Sequence, residues 1–116
     1  MSKWTKWRKI ADEDHWYNDN FDYEGPACYE LGLGGPRGGN IRPVYVGETT
    51  NEQKRMISYA QHGSHITEIV SESLENGWFL YYRAQALSSK KAAQKMQNSL
   101  LNRFEYEWNK NLNRRK

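Results

Sequence analysis

Apolar and polar positions along the chain change period several times, and each change marks an element. Residues 27–33 alternate Cys28 and Glu30 with Tyr29, Leu31 and Leu33, the two-residue period of a strand. The run from Gly34 to Asn40 is too rich in glycine for regular structure and reads as a loop. Ile41 to Gly47 returns to strand character and is expected to pair antiparallel with the first strand, bringing Tyr29 close to Tyr45. Pro43, which cannot donate to a ladder, places this second strand at an edge or at a bulge.

Helical signals follow. Thr49-x-x-Glu52 and Thr50-x-x-Gln53 both fit a capping box, so two starts are open for a helix that ends at Gly63. On that helix Arg55, Tyr59 and His62 fall at i, i+4 and i+7 and share one cationic, hydrogen-bonding face. From His65 to Asn76 the stripe Ile66, Ile69, Val70 and Leu74 predicts a second helix, closed by Gly77. Trp78 to Tyr82 is an aromatic run of strand type. Ser88-Ser89 then caps a long helix from Lys90 to about Trp108, with Ala93, Met96, Leu100, Leu101, Phe104 and Trp108 inward. The expected fold is α+β, a small α/β sandwich with a three-stranded, mostly antiparallel sheet flanked by helices in the order β-β-α-α-β-α. Residues 1–25 form an aromatic and basic, then acidic, arm; residues 26–109 form the domain; residues 110–116 form a basic tail.

Composition adjusts this picture. A hydrophobic content of 37% and a mean hydropathy of −1.03 are low, but five Trp and eight Tyr supply the area for one modest core. Cys28 is the only cysteine, so an internal disulfide is excluded and a reducing, cytoplasmic setting is expected. No apolar run is long enough to span a bilayer. The net charge of +3 is unevenly spread: residues 12–30 hold seven acids and no Lys or Arg, whereas residues 52–116 hold eleven bases and six acids. A basic second half suits a polyanion such as DNA, since Lys and Arg at phosphates release counterions; a solvated basic surface fits the charge equally well. Candidate nucleic-acid contacts are Lys3, Lys6, Arg8, Arg37, Arg42, Lys54, Arg83, Lys90 and Lys91. In the arm, Trp4 and Trp7 alternate with these bases and could stack on nucleobases, although covering one side of the small core is the preferred role.

The ordered set Cys28-Tyr29-Glu30-Leu31, Tyr45-Val46-Gly47, Arg55 and Tyr59 resembles the motifs of the GIY-YIG nuclease superfamily, with spacing similar to its excision-repair branch. The likeness covers roughly Pro26 to Asn109; Ala27-Cys28-Tyr29 stands where the family has Gly-Ile-Tyr. The resemblance implies phosphodiester hydrolysis of DNA with one ion, Mg2+ or Mn2+, polarising the phosphoryl group. It implies that Tyr29 and Tyr45 position or activate water, that Arg55 stabilises phosphorane charge, and that Tyr59 stands where members carry tyrosine or histidine. Asn109 would buttress the site, with His62 either a phosphate contact or plain helix surface.

The family's metal-binding glutamate falls on Gln97, twelve residues before Asn109. A glutamine keeps the shape but not the charge that makes a carboxylate a good Mg2+ ligand. The expectation is an endonuclease impaired by Gln97; the alternative is an inactive GIY-YIG-fold protein that binds DNA or another protein. The neutral residue is either an exchange that traps uncleaved DNA, the preferred explanation, or a natural loss of catalysis. Glu48, at a position that often holds lysine in related domains, would be a substitute metal ligand in a rewired site. The implied roles are restriction, homing or repair in a phage or bacterial setting, with homodimerisation one source of specificity. Glu105, turned about 80° from Gln97, is expected on the surface; His15 and His65 have no partners at metal spacing.

Overall fold

The computed structural model describes residues 4–12, 24–35, 40–55 and 67–109. Its elements are β1 (Arg8–Ala11), β2 (Ala27–Gly34), β3 (Arg42–Thr49), α1 (Thr67–Glu75), β4 (Phe79–Ala86) and α2 (Lys90–Arg103). Residues 52–55 and 107–109 are also helical. The class is the expected α+β, but the antiparallel sheet has four strands, in the order β1-β4-β2-β3. The additional strand comes from the arm. Thr5 donates to the Ala84 carbonyl at 2.8 Å, its hydroxyl accepts from Ala84 N–H at 3.1 Å, and β1 continues along β4. The short apolar signal of Ile10-Ala11 gives a strand because β4 offers an open ladder.

β2 is central, pairing with β3 on one side and β4 on the other. Its alternation is the alternation of the two cores. Tyr29, Leu31 and Leu33 join Tyr45, Val70, Leu74, Leu80, Tyr82 and Trp108 on the α1 face. Cys28 joins Val46 and Tyr106 on the α2 face, where Trp4, Met96, Leu100 and Leu101 pack. Pro43 satisfies both readings of its position. β3 is the outer strand, and the register skips Val44 between Leu31↔Tyr45 and Gly32↔Pro43, a bulge. The arm's tryptophans cover the core: the Trp7 ring lies 3.1 Å from the space a Cβ on Gly32 would occupy.

Two expected helix boundaries move. Asn51, rather than Thr49 or Thr50, caps the helical residues 52–55, its side chain accepting from Lys54 N–H at 3.0 Å. Thr49 is still in β3, and its hydroxyl accepts instead from Asn51 N–H. The long helix is capped by Ser89 as expected, but it stops at Arg103 because Phe104 is extended (φ −134, ψ 148). Phe104 is therefore exposed rather than inward. The break has a consequence for the site: Tyr106 is buried on the α2 face and Trp108 on the α1 face. Residues 104–109 thus wrap round the open edge of β3. α1 closes at Gly77, whose φ of +90 glycine adopts without strain. Among the described residues no helix is long and apolar enough to cross a membrane.

Candidate active site at the open edge of β3

The register of β2 and β3 puts Tyr29 opposite Gly47 and Leu31 opposite Tyr45, so the two tyrosines are diagonal neighbours on one face. Their ring centroids are 6.2 Å apart, at 42°. Tyr29 lies directly across Gly47: a Cβ there would stand 2.5 Å from both Cζ and the hydroxyl oxygen of Tyr29. The glycine of Tyr45-Val46-Gly47 is thus required by close approach of a ring. Burial pushes the Tyr45 phenol above its ordinary range; the Arg55 charge and a hydrogen bond with Tyr29 pull it back, and Glu48 adds to the rise. Arg55, half-buried in the helical turn after Asn51, is close enough for its charge to act on the Tyr45 phenol.

An outer strand leaves alternate N–H and C=O groups without a ladder partner. At Val46 a side chain supplies one. Asn109 Oδ1 accepts from Val46 N–H at 2.8 Å, and its Nδ2 donates to the Val46 carbonyl at 2.9 Å. Gln97, from the middle of α2, points its Nε2 at the same carbonyl from 3.4 Å. Gln97 and Asn109, twelve apart in sequence, thus meet at one peptide of the motif strand. The wrapped segment is what permits this: a continuous helix would carry Asn109 away from β3.

The remaining candidates are placed as follows. Tyr59, His62, Lys3 and Arg37 lie outside the described residues. Lys6, Arg8, Lys54, Lys90 and Lys91 are exposed. Arg42 is exposed and faces Glu107 at 3.4 Å. Arg83 is not a surface base. Its Nε and Nη2 each lie 2.6 Å from Oε1 of buried Glu30, and the Trp4 and Trp7 rings cover its guanidinium. The other Glu30 oxygen accepts from the Tyr106 hydroxyl, and burial with that bond drives the Tyr106 phenol upward. Sequence reasoning missed this network; its signal was a carboxylate amid the buried positions of β2.

The residue at position 97 does not fit a metal ion as its anchor, being neutral and directed by its amide nitrogen at Val46. Among the described residues, no group of three or more His, Cys, Asp or Glu side chains is placed to hold a metal. Near this edge, however, Glu48 Oε2 is buried with no hydrogen-bond partner. Glu105 is exposed, as expected.

A family model described as GIY-YIG domain-containing protein matches residues 22–116. No curated protein and no solved structure matches the chain.

Proposed function

The chain belongs to the GIY-YIG domain family, and from that premise we propose that it is a DNA endonuclease domain whose phosphodiester cleavage is impaired by Gln97. The observation that carries this reading is the convergence at Val46-Gly47: Tyr29 across Gly47, Tyr45 beside it, Asn109 and Gln97 on the Val46 peptide. That residues far apart in sequence meet at one stretch of β3 supports this reading.

The residues divide the work by their chemistry. The Tyr45 phenol is protonated at neutral pH, and burial only strengthens that, so it orients a water through its hydroxyl, in contact with Tyr29. Arg55 places a fixed positive charge beside that hydroxyl, where a phosphoryl group gathering negative charge gains most. Asn109 holds the Val46 peptide, fixing the height of Tyr45 and Gly47 on either side of it. Exposed Lys54, Lys90 and Lys91 provide phosphate contacts for the flanking duplex. In family nucleases a divalent ion supplies Lewis-acid polarisation.

A second reading, a non-cleaving DNA- or protein-binding domain on the same fold, is favoured by the hydrogen bond that gives Gln97 a structural role. Fluorescence anisotropy with a labelled duplex tests the nucleic-acid part common to the nuclease and the DNA-binding readings. Binding should weaken steeply as salt rises, and Arg55→Ala should weaken it further. Duplex affinity that is absent at low salt would overturn the proposal and leave a protein partner.

A further inference from the structure

We infer that a cavity beside α1 receives one unpaired base of the nucleic-acid strand, a base that carries an exocyclic amino group; the inference rests on the nucleic-acid reading of the site. The cavity has a volume of about 510 Å³, within the range of small-ligand sites. Buried Leu33 and Trp108 form its floor, and both belong to the cluster that holds Tyr29 and Tyr45. It therefore opens on the same sheet face as the two tyrosines. Leu33 is four residues along β2 from Tyr29, about 13 Å of strand.

The walls decide what enters. Ile69, Glu72, Ser73 and, just past the end of α1, Asn76 recur at i, i+3, i+4 and i+7, so one helical stripe lines the space. Exposed Glu72 brings a carboxylate and Asn76 an amide. Trp78 stands at the rim, 47% exposed, its N–H donating to the Ser73 carbonyl at 3.2 Å, which ties it to the end of the stripe. An exposed indole on a polar cavity is a stacking platform. Arg42, opposite Leu33 in register, faces Glu107 at 3.4 Å; both are more than half exposed, so the pair opens readily. Two carboxylates against one guanidinium disfavour a phosphate inside the cavity. They favour an uncharged ring with N–H donors. The amino groups of cytosine, adenine and guanine donate to a carboxylate, whereas thymine offers carbonyl oxygens and a methyl group. Within a duplex both faces of a base are covered by its neighbours, so Trp78 can stack only on a base that is single-stranded or extruded. Arg42, at the rim, then meets the adjoining phosphate.

The test is titration of the full chain, followed by tryptophan emission, with short duplexes that are fully paired or hold one unpaired cytosine, adenine, guanine or thymine. Duplexes with an unpaired amino-bearing base should bind about tenfold more tightly than the paired or thymine duplex, the low end of the gain from stacking one base on an aromatic ring, and should quench the emission. Trp78→Leu, at an exposed position, should melt near the parent and keep its affinity for paired duplex while losing the preference and the quench. Glu72→Ala should narrow the gap between cytosine and thymine. Equal affinity for every duplex, or a preference that Trp78→Leu retains, would overturn the inference alone. Binding of no duplex at low salt would take the nucleic-acid reading with it, and a quench by a lysine-rich peptide in that case would assign the cavity to a cationic protein segment.

Discussion

Replacing Gly47 by alanine tests whether the motif glycine is there to make room for a ring. The added Cβ would meet Tyr29 Cζ and its hydroxyl oxygen at 2.5 Å and Cε1 at 3.0 Å. Tyr29 is 1% exposed and enclosed by the α1-side core, so the ring has no open side to move into. Backbone conformation is not the reason for glycine, because Gly77 is the described glycine with positive φ. Overpacking of a filled core costs about 1–3 kcal/mol, and a clash with ring atoms belongs in the upper part of that range. For a domain of this size each kcal/mol moves the melting temperature by roughly 3–6 °C, so calorimetry should show Gly47→Ala melting lower by roughly 6–18 °C. Tyr29→Leu removes the obstructing atoms at its own cost; in that background Gly47→Ala should cost less than about 0.5 kcal/mol, a coupling measurable by a double-mutant cycle. An unchanged melting temperature for Gly47→Ala, or the same cost in both backgrounds, would refute the reasoning.

Asn109→Ala removes both hydrogen bonds to the Val46 peptide and should cost about 1–3 kcal/mol in denaturant unfolding, with faster amide exchange at Val46; unchanged exchange would deny the buttressing role. Arg83→Met leaves Glu30, 3% exposed, without its counter-charge. Because Arg83 itself is partly exposed, the expected loss is about 2–4 kcal/mol, below the full range for breaking a buried pair, and Glu30→Gln should recover part of it. The Cys28 thiol, pushed up to about 12, keeps its proton in the folded state while the unfolded thiol loses it above its ordinary value near 9. Stability is therefore whole below that value and falls as pH rises towards 12. Cys28→Ala should flatten the alkaline slope of stability, and native Cys28 should resist thiol reagents at pH 8 until the chain unfolds.

Much of the fold was legible because local patterns and global packing agree: the alternation in β2, the paired roles of Pro43, the Ser89 cap and the Gly77 stop all held. What local pattern could not reveal depended on distant partners. Ile10-Ala11 is too short a run to declare a strand and becomes one only against β4. The stripe through Phe104 and Trp108 continued on paper, yet the chain gains more by leaving the helix, burying Tyr106 and Trp108 on opposite faces and completing Val46 with Asn109. At the site, the closeness of Tyr29 and Tyr45 was readable from the expected pairing of the two strands, whereas Asn109 was named by the resemblance alone. The Arg83 contact with Glu30 was not readable, because a base and an acid 53 residues apart leave no sequence signature. Tyr59 and His62, expected on the same face as Arg55, lie outside the described residues.

The central claim is that a phosphodiester-cleaving site stands at the open edge of β3 and that residue 97 limits it. Supercoiled plasmid incubated with Mg2+ or Mn2+ should be nicked or linearised by Gln97→Glu on the order of 100-fold faster than by the chain with Gln97, the scale of restoring one preorganised electrostatic contact. Adding Arg55→Ala to Gln97→Glu should abolish the gain. Plasmid left intact by Gln97→Glu, with the protein folded and still binding duplex, would contradict the account.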